Sequence, residues 1–438
     1  MPVLPGCLIL RTTKEMASSK IVLYGHFGSG NIGNDSSLEA ALYHVRKYQG
    51  QSDVICVCSG PREISERFGI ETLPINVHPD VHATRSRVRL LRVLPRLSDE
   101  VHFWRRYNSW FRRDDRFIVV GTGAADDMGV RRPWASPYDL YKWCKAAKDG
   151  GGQVIFLSVG VGPIVNPISR VLMLRALQKA DYRSYRDKAS FRYLHSVGFD
   201  TTGDHLYPDL VFSLQRDPPP LRRTWKGQPR VVGLGLMTYR GWQYDRNNSE
   251  TIYQRYITQI RAFMAWLLKK GITVRVLSGD AIDVETVQGI KRYFEAQGHS
   301  VGSGLLIVEP IVTIDDLFDQ IAETDIVVAT RFHNVLSALM VGVPVLSLGY
   351  HDKNTNLMSE MGLEKYCQHI ERFTFEKLVE QFESYAAEQE QAVLRIGKKK
   401  EEYRRLLDEQ YRSVLVVEEH RTPLQTHRRP ADRPVAIP

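Results

Sequence analysis

Arg331 and His333 stand two residues apart, directly after an apolar run and at the start of a helical pattern. A planar guanidinium can grip a carboxylate or phosphate through two parallel hydrogen bonds, and a helix start adds positive potential beside it. An imidazole at that place can donate a hydrogen bond, or a proton near neutral pH. Lys353 follows the next apolar run and brings another cation to the same rim, while Arg186-Asp187 follows an earlier run. The plainer reading of either arginine is an internal ion pair, with His333 capping its helix. Glycine-rich segments occupy the remaining run ends: Gly28-Ser29-Gly30-Asn31-Ile32-Gly33-Asn34-Asp35, then Gly121-Thr122-Gly123 with Asp126 and Asp127, then Gly160-Val161-Gly162-Pro163. Glycines let a ligand approach the backbone, and helix starts offer free N–H groups to an anion.

The spacing Gly28-x-Gly30-x-x-Gly33, after a strand and before a helix, also fits a nicotinamide or flavin site. Such a site wants an acid at the end of the second strand, where Ser59 and Gly60 stand instead, although Arg62 nearby suits a 2′-phosphate. A tight turn without a ligand is the remaining alternative.

Residues at strand ends meet only if an open parallel sheet gathers those ends, because ligands of such sheets lie beyond the carboxyl ends of the strands. The pattern supplies two such sheets. Strands read at 21–27, 53–59, 116–121, 153–159 and 182–186, with helices at 36–48, 138–149 and 167–180. The rhythm restarts with strands at 231–237, 273–278, 305–308, 325–329 and 344–348, and helices at 250–270, 283–296, 314–322 and 334–340. Continuous apolar strands require cover on both faces, and strand–helix alternation reads as a doubly wound sheet. The expected fold is therefore α/β, with two Rossmann-like doubly wound domains facing across a cleft in a GT-B-like arrangement. The first domain covers 18–215 and carries a basic insert at 80–116. A linker at 216–229 contains Asp217-Pro218-Pro219-Pro220, a stiff connector. The second domain covers 230–390. A helical extension and a disordered basic, Pro-rich tail fill 391–438, and the Glu-, Lys- and Gln-rich stretch 375–407 is read as crossing back to brace the first lobe.

Among the 438 residues, 43% are hydrophobic and 25% charged, near the soluble globular average, which excludes a wholly disordered chain. No run of 18 apolar residues exists to span a membrane. The start has no basic n-region, so no signal peptide is read and a cytoplasmic location is expected. The five cysteines form no C-x-x-C pair and no zinc spacing, and read as reduced core thiols; no metal site is expected. The net charge of +9 is concentrated between Arg85 and Arg116, where ten arginines face four acids. Arg85, Arg89, Arg92 and Arg96 recur at helical spacing before Trp104, Tyr107, Trp110 and Phe111. One reading is an amphipathic element resting on the inner face of an anionic membrane or on a lipid-linked diphosphate. The other is a solvated basic face; no nucleic-acid module accompanies the charge, so no nucleic-acid partner is expected.

These residues, in this order, resemble the polysaccharide pyruvyl transferase family, including ketal pyruvyl transferases of colanic-acid and amylovoran type. The matching segments are Gly28-x-Gly30-Asn31-x-Gly33-Asn34-Asp35, Gly121-x-Gly123, Gly160-x-Gly162-Pro163 and Tyr185-Arg186-Asp187-x-x-Ser190. Pro208-Asp209-x-x-Phe212, Arg331-Phe332-His333, Gly342-Val343-Pro344-Val345 and Lys353 complete the set, over roughly 20–360. The family's first motif often reads N-x-G-D, whereas here Asn34 precedes Asp35. The resemblance implies transfer of pyruvate from phosphoenolpyruvate onto two hydroxyls of one sugar, in exopolysaccharide or cell-surface glycan synthesis in bacteria. Phosphoenolpyruvate is then a donor substrate, no cofactor or metal is needed, and the acceptor is a sugar or lipid-linked oligosaccharide. Arg186, Arg331 and His333 would hold the donor, with His333 as the acid that protonates its methylene carbon. Asp35, Asp126 or Asp127 would accept sugar hydroxyl protons, and Gly28, Gly30, Asn31, Gly33, Gly160, Gly162 and Lys353 would line the substrates. The rivals are a nucleotide-sugar glycosyltransferase of the same architecture and a non-catalytic subunit of a polysaccharide assembly complex.

Overall fold

The structure is a computed structural model, and it describes residues 19–50, 52–76, 93–107, 109–126, 133–214, 229–241, 248–299 and 304–416. The first lobe holds β1 (Lys20–Gly25), β2 (Asp53–Cys58), β3 (Glu71–Pro74), β4 (Arg116–Ala125), β5 (Gln153–Val161), β6 (Tyr182–Tyr185) and β7 (His205–Leu206). They form one parallel sheet in the order β3-β2-β1-β4-β5-β6-β7. The second lobe holds β8 (Val231–Gly235), β9 (Thr273–Leu277), β10 (Leu306–Val308), β11 (Ile326–Ala329), β12 (Val345–Gly349) and β13 (Cys367–His369). These pair in parallel in the order β10-β9-β8-β11-β12-β13. The two-lobed doubly wound architecture read from the sequence is what the chain adopts. In each sheet the winding direction reverses beside the first strand, between β1 and β4 and between β8 and β11, and loops there diverge to leave a crevice.

The apolar strands are covered on both faces. One core cluster lies on one face of the first sheet around Phe103, Phe117, Trp143 and Phe156. The other is continuous from the opposite face of that sheet, through the helix Ile32–Tyr48, into the second lobe. The final helix, Gln389–Leu415, joins this cluster through Leu407, Tyr411 and Leu415. It returns to the first lobe: Asp408 accepts from Lys47 and Tyr48, and the Leu415 carbonyl accepts from Arg116 Nη1 at 2.9 Å. Its Gln410, fully buried, accepts from Ser158 Oγ at 3.1 Å and donates to Ser184 Oγ at 2.7 Å. Ser158 sits at φ +47°, where the β5–β6 register shifts, so the helix caps a bulge in the sheet.

The same brace predicts an acid-sensitive fold. His44 is buried and stacks on Tyr411 with centroids 3.9 Å apart. Burial, reinforced by the Lys47 charge and opposed by Asp408, pushes its imidazole down to about 4. A base whose folded pKa lies below its unfolded value near 6.5 destabilises the fold as pH falls from about 6.5 through 4, by up to about 3 kcal/mol. His44→Phe keeps a ring on Tyr411 without a proton to bind. It should hold its melting temperature between pH 6.5 and 4.5 where the parent loses several degrees; parallel losses would clear His44 of the effect.

The aromatic part of the basic insert packs into the first lobe. Arg85, Arg89 and Arg92 lie outside the described residues. The aromatics that follow them do not form a free apolar face. Tyr107 and Phe111 are buried, and Tyr107 and Trp110 pack on Trp143 at 4.7 and 6.5 Å between ring centroids. Their apolar area is taken by the first lobe's own core. Among the described residues, no helix is long and apolar enough to cross a membrane.

Candidate active site

A cavity of about 550 Å³ opens between the lobes at the carboxyl ends of β4, β5, β6 and β12. The first lobe supplies Gly123, Asp126, Gly160, Gly162, Arg186 and Tyr193, and the second supplies Tyr350, His351, Lys353 and His369. Gly123, Gly160 and His369 stand at the carboxyl ends of strands, Asp126, Gly162, Arg186, Tyr350, His351 and Lys353 follow directly after strands, and Tyr193 lies on the helix after β6.

Arg186 follows β6 and is held on several sides. Its Nη1 donates to Asp209 at 2.8 Å, with both side chains nearly buried. Asp209 uses its other oxygen to accept from the backbone N–H of Val211, so its orientation is fixed. The guanidinium lies 5.3 Å from the ring centroid of Phe332, which the second lobe contributes. Arg186 Nε is buried and without a hydrogen-bond partner, and it faces Gly160, where a Cβ would stand 3.2 Å away. Lys353 Nζ lies 5.4 Å from the same Phe332 ring and makes no ion pair among the described residues. Phe332 is thus one aromatic platform under a cation from each lobe, a favourable pairing with the ring's negative face.

His333 lies edge-on to Phe332, with centroids 5.5 Å apart, at the start of the helix Phe332–Val341. On the opposite lobe it meets Gly33, where a Cβ would fall 2.0 Å from the imidazole Cδ2. Burial first, then the charges of Arg186, Lys353 and Arg331, hold its pKa well below the usual value. Burial and these cations thus favour the neutral ring, against the expectation of a proton on this imidazole near neutral pH. His351 is also depressed, by burial and then by Lys353, and its Nδ1 accepts from the Lys353 N–H at 3.2 Å to cap the helix Asp352–Glu360.

Other residues named from the sequence are placed elsewhere. Arg331 is not an open fork. Its Nε and Nη2 donate to Asp283 at 2.8 and 2.7 Å, and Nη1 lies 3.6 Å from Asp280. Asp283 is fully buried and also accepts from Thr238 N, so the plainer ion-pair reading holds for Arg331. Asp35 does not face the cleft. One oxygen accepts from Gly28 N at 2.9 Å and the other lies 3.7 Å from Arg67, so the carboxylate ties down the glycine loop from behind. Burial raises its pKa, against the Gly28 N–H and Arg67. Gly28, at φ +67°, is required for close approach, since a Cβ would fall 2.7 Å from the Gly60 carbonyl. Asn31 caps the helix Ile32–Tyr48 and donates across the lobes to Asp280 at 3.1 Å. Gly28, Gly30, Asn31 and Gly33 are absent from the cavity lining and build the seam beside it. Asp126 lines the cavity, and Asp127 lies outside the described residues.

The cavity wall offers a small anion two cations, Arg186 and Lys353, that share the Phe332 ring, together with the acids Asp126 and Asp187; Phe332 and His333 lie behind this wall and are not among its lining residues. Sequence reasoning missed Phe332 as a platform, Asp280 and Asp283 as partners of Arg331, and His351 as the cap beneath Lys353. Phe332 and Asp209 had a signal, since both stand in segments that carry the resemblance, Arg331-Phe332-His333 and Pro208-Asp209. Among the described residues, no group of three or more His, Cys, Asp or Glu is placed to hold a metal ion.

A family model described as polysaccharide pyruvyl transferase matches residues 31–352. A search among curated protein sequences returns no match. Solved structures share the fold at low identity. The UDP-GlcNAc 2-epimerase from Neisseria meningitidis bound to UDP-GlcNAc is 9% identical with a TM-score of 0.54, covering 91% of this chain and 99% of its own. The UDP-GlcNAc 2-epimerase from Methanocaldococcus jannaschii is 10% identical with a TM-score of 0.52, covering 84% and 92%. Acinetobacter baumannii MurG is 11% identical with a TM-score of 0.52, covering 91% and 99%.

Proposed function

The chain belongs to the polysaccharide pyruvyl transferase family, and on that premise we propose that it moves pyruvate from phosphoenolpyruvate onto two hydroxyls of one sugar, closing a cyclic ketal and releasing phosphate. The observation that carries this reading is the pair Arg186 and Lys353 on one Phe332 ring, with His333 against that ring. Phosphoenolpyruvate presents a carboxylate and a phosphate close together, and two fixed cations match two adjacent anions. Arg331 argues against the nucleotide-sugar reading, because the fork that would hold a diphosphate at the second lobe's crevice is bound to Asp283.

In the proposed reaction His333 protonates the methylene carbon, which leaves cationic character at the adjacent carbon. One sugar hydroxyl adds there and loses its proton, with Asp126 as acceptor. The second hydroxyl displaces the phosphate, whose departing charge Arg186 and Lys353 stabilise, and its proton passes to the imidazole of His333, restoring the acid. The donor's own negative charge answers the cations that hold His333 neutral, so donor binding raises its proton affinity.

A thermal-shift series with phosphoenolpyruvate, UDP-GlcNAc and NADPH, followed by phosphate release with a sugar acceptor, tests the reading. Stabilisation and phosphate release with phosphoenolpyruvate alone are expected; a shift with the sugar nucleotide instead would overturn it. Phe332→Leu keeps an apolar side chain but removes the shared aromatic face. It should raise KM for phosphoenolpyruvate about 5- to 30-fold, the equivalent of about 1–2 kcal/mol, with kcat changed less. An unchanged KM would take the ring out of donor binding.

A further inference from the structure

Beside the cavity, the seam between the lobes includes one carboxylate that reaches both of them. Asp280, three residues past the end of β9, accepts from Asn31 Nδ2 at 3.1 Å across the lobe boundary, and their backbones form an isolated antiparallel bridge. The same oxygen of Asp280 lies 3.6 Å from Arg331 Nη1 within its own lobe. Asn31 is the cap residue of the helix whose next turn contains Gly33. Arg331 is the residue before Phe332 and His333. Asp280 therefore joins the segment that carries His333 to the segment against which His333 rests.

The fit at that rest point is tight. A Cβ on Gly33 would lie 2.0 to 2.2 Å from three atoms of the imidazole, far inside contact distance. The ring is thus seated directly on backbone, and its depth is set by how closely the glycine loop approaches the second lobe. Beside this contact, the side-chain bond from Asn31 to Asp280 and the backbone bridge between the same two residues close the loop onto that lobe. Asp35 adds to the same construction from behind, because its hold on Gly28 N fixes the loop as a unit.

We infer that Asp280 is a positioning residue: by binding Asn31 of one lobe and Arg331 of the other, it seats His333 on Gly33 beside the donor cavity. This deepens the donor reading and rests on it for its catalytic consequence, but the seating itself does not. The glycine-rich loop, which its spacing suggested as a phosphate cradle, is on this view the bearing surface for the imidazole. Asp280 touches none of the residues proposed to hold the donor's anions, so its loss should disturb the proton transfer more than donor binding.

The test uses Asp280→Asn and Asp280→Ala in the full chain with two readouts. The first is the rate of modification of His333 by diethyl pyrocarbonate, measured by peptide mass spectrometry, which needs no turnover. Loss of one interlobe hydrogen bond should raise that rate about 2- to 10-fold in Asp280→Ala. Asp280→Asn keeps an oxygen for Asn31 and should fall between the alanine variant and the parent. The second readout is steady-state transfer from phosphoenolpyruvate. Here kcat should fall about 10-fold or more in Asp280→Ala while KM for the donor stays within about threefold. Unchanged modification rates in both variants overturn the inference, and so does a fall in kcat without any change in His333 reactivity. Faster modification in variants of a parent that never turns over phosphoenolpyruvate would sustain the seating and sink the donor reading.

Discussion

Arg186→Lys is expected to lower kcat/KM for phosphoenolpyruvate by about 100- to 1,000-fold, close to 3–4 kcal/mol of transition-state stabilisation. The arginine works as a planar fork with assigned edges. One nitrogen is held by Asp209 at 2.8 Å, the face rests over Phe332, and Nε makes no hydrogen bond, standing opposite Gly160 and 3.9 Å from Asp187. Lysine is a point charge on a flexible stem and cannot serve Asp209 and a donor oxygen together. Whichever it chooses, a buried carboxylate or the donor's anion loses its counter-charge, and an uncompensated buried charge is costly. The loss should appear in both kcat and KM, because the departing phosphate gains charge as its bond breaks. A kcat/KM within about threefold of the parent, in a protein that melts normally, would remove Arg186 from the donor site.

His333→Gln should reduce kcat by about 10² to 10⁴, the usual range for a lost general acid, with a smaller effect on KM. Glutamine still donates a hydrogen bond from nearly the same place but carries no transferable proton. The pH dependence sharpens the test. Burial and the charges of Arg186, Lys353 and Arg331 lower the imidazole's pKa and favour its neutral form. Bound donor brings negative charge to the same cluster and raises its pKa. An acid is lost as pH rises through its pKa, so both profiles should fall on the alkaline side. The fall in kcat, which reports the complex, should come at higher pH than the fall in kcat/KM, which reports the free protein. Coincident alkaline limbs, or a glutamine variant with normal kcat, would return His333 to a binding role and send the search for the acid to Asp126.

The strands of both lobes were legible because a parallel sheet covered on both faces needs unbroken apolar runs, as in β4, where all but one residue is buried. The edge strands β3, β7 and β13 were not read, since each has two to four residues and half-exposed or polar side chains. The same logic separates the site residues. Arg186, His333 and Lys353 follow strands closely, so strand ends alone bring them near one another. The fate of Arg331 depended on Asp280 and Asp283, which approach only because β9 lies beside β8, and β8 beside β11. No spacing in the chain encodes that neighbourhood. Asp35 misled for a different reason. It sits in the first turn of a helix, where the side chain turns back on the preceding loop, and there it meets Gly28 N. The aromatics after the basic insert looked amphipathic in isolation, but their partner Trp143 is more than thirty residues away, and periodicity carries no information about such a partner.

Ribosomal synthesis delivers the two ends of this molecule at different times, and the returning helix Gln389–Leu415 makes that order matter. The last strand of the first sheet is complete at Leu206, yet Arg116, Ser158 and Ser184 wait for partners at Leu415 and Gln410. Those partners emerge about 200 residues later, which at ordinary elongation rates is about 10 to 40 s. For that interval the nascent first lobe carries an unfilled bulge and an uncovered stretch of apolar core where Tyr411 and Leu407 will lie. The half-made protein is thus a natural client for a chaperone acting at the ribosome, and a ribosome stalled before Gln389 would leave it in that sticky state.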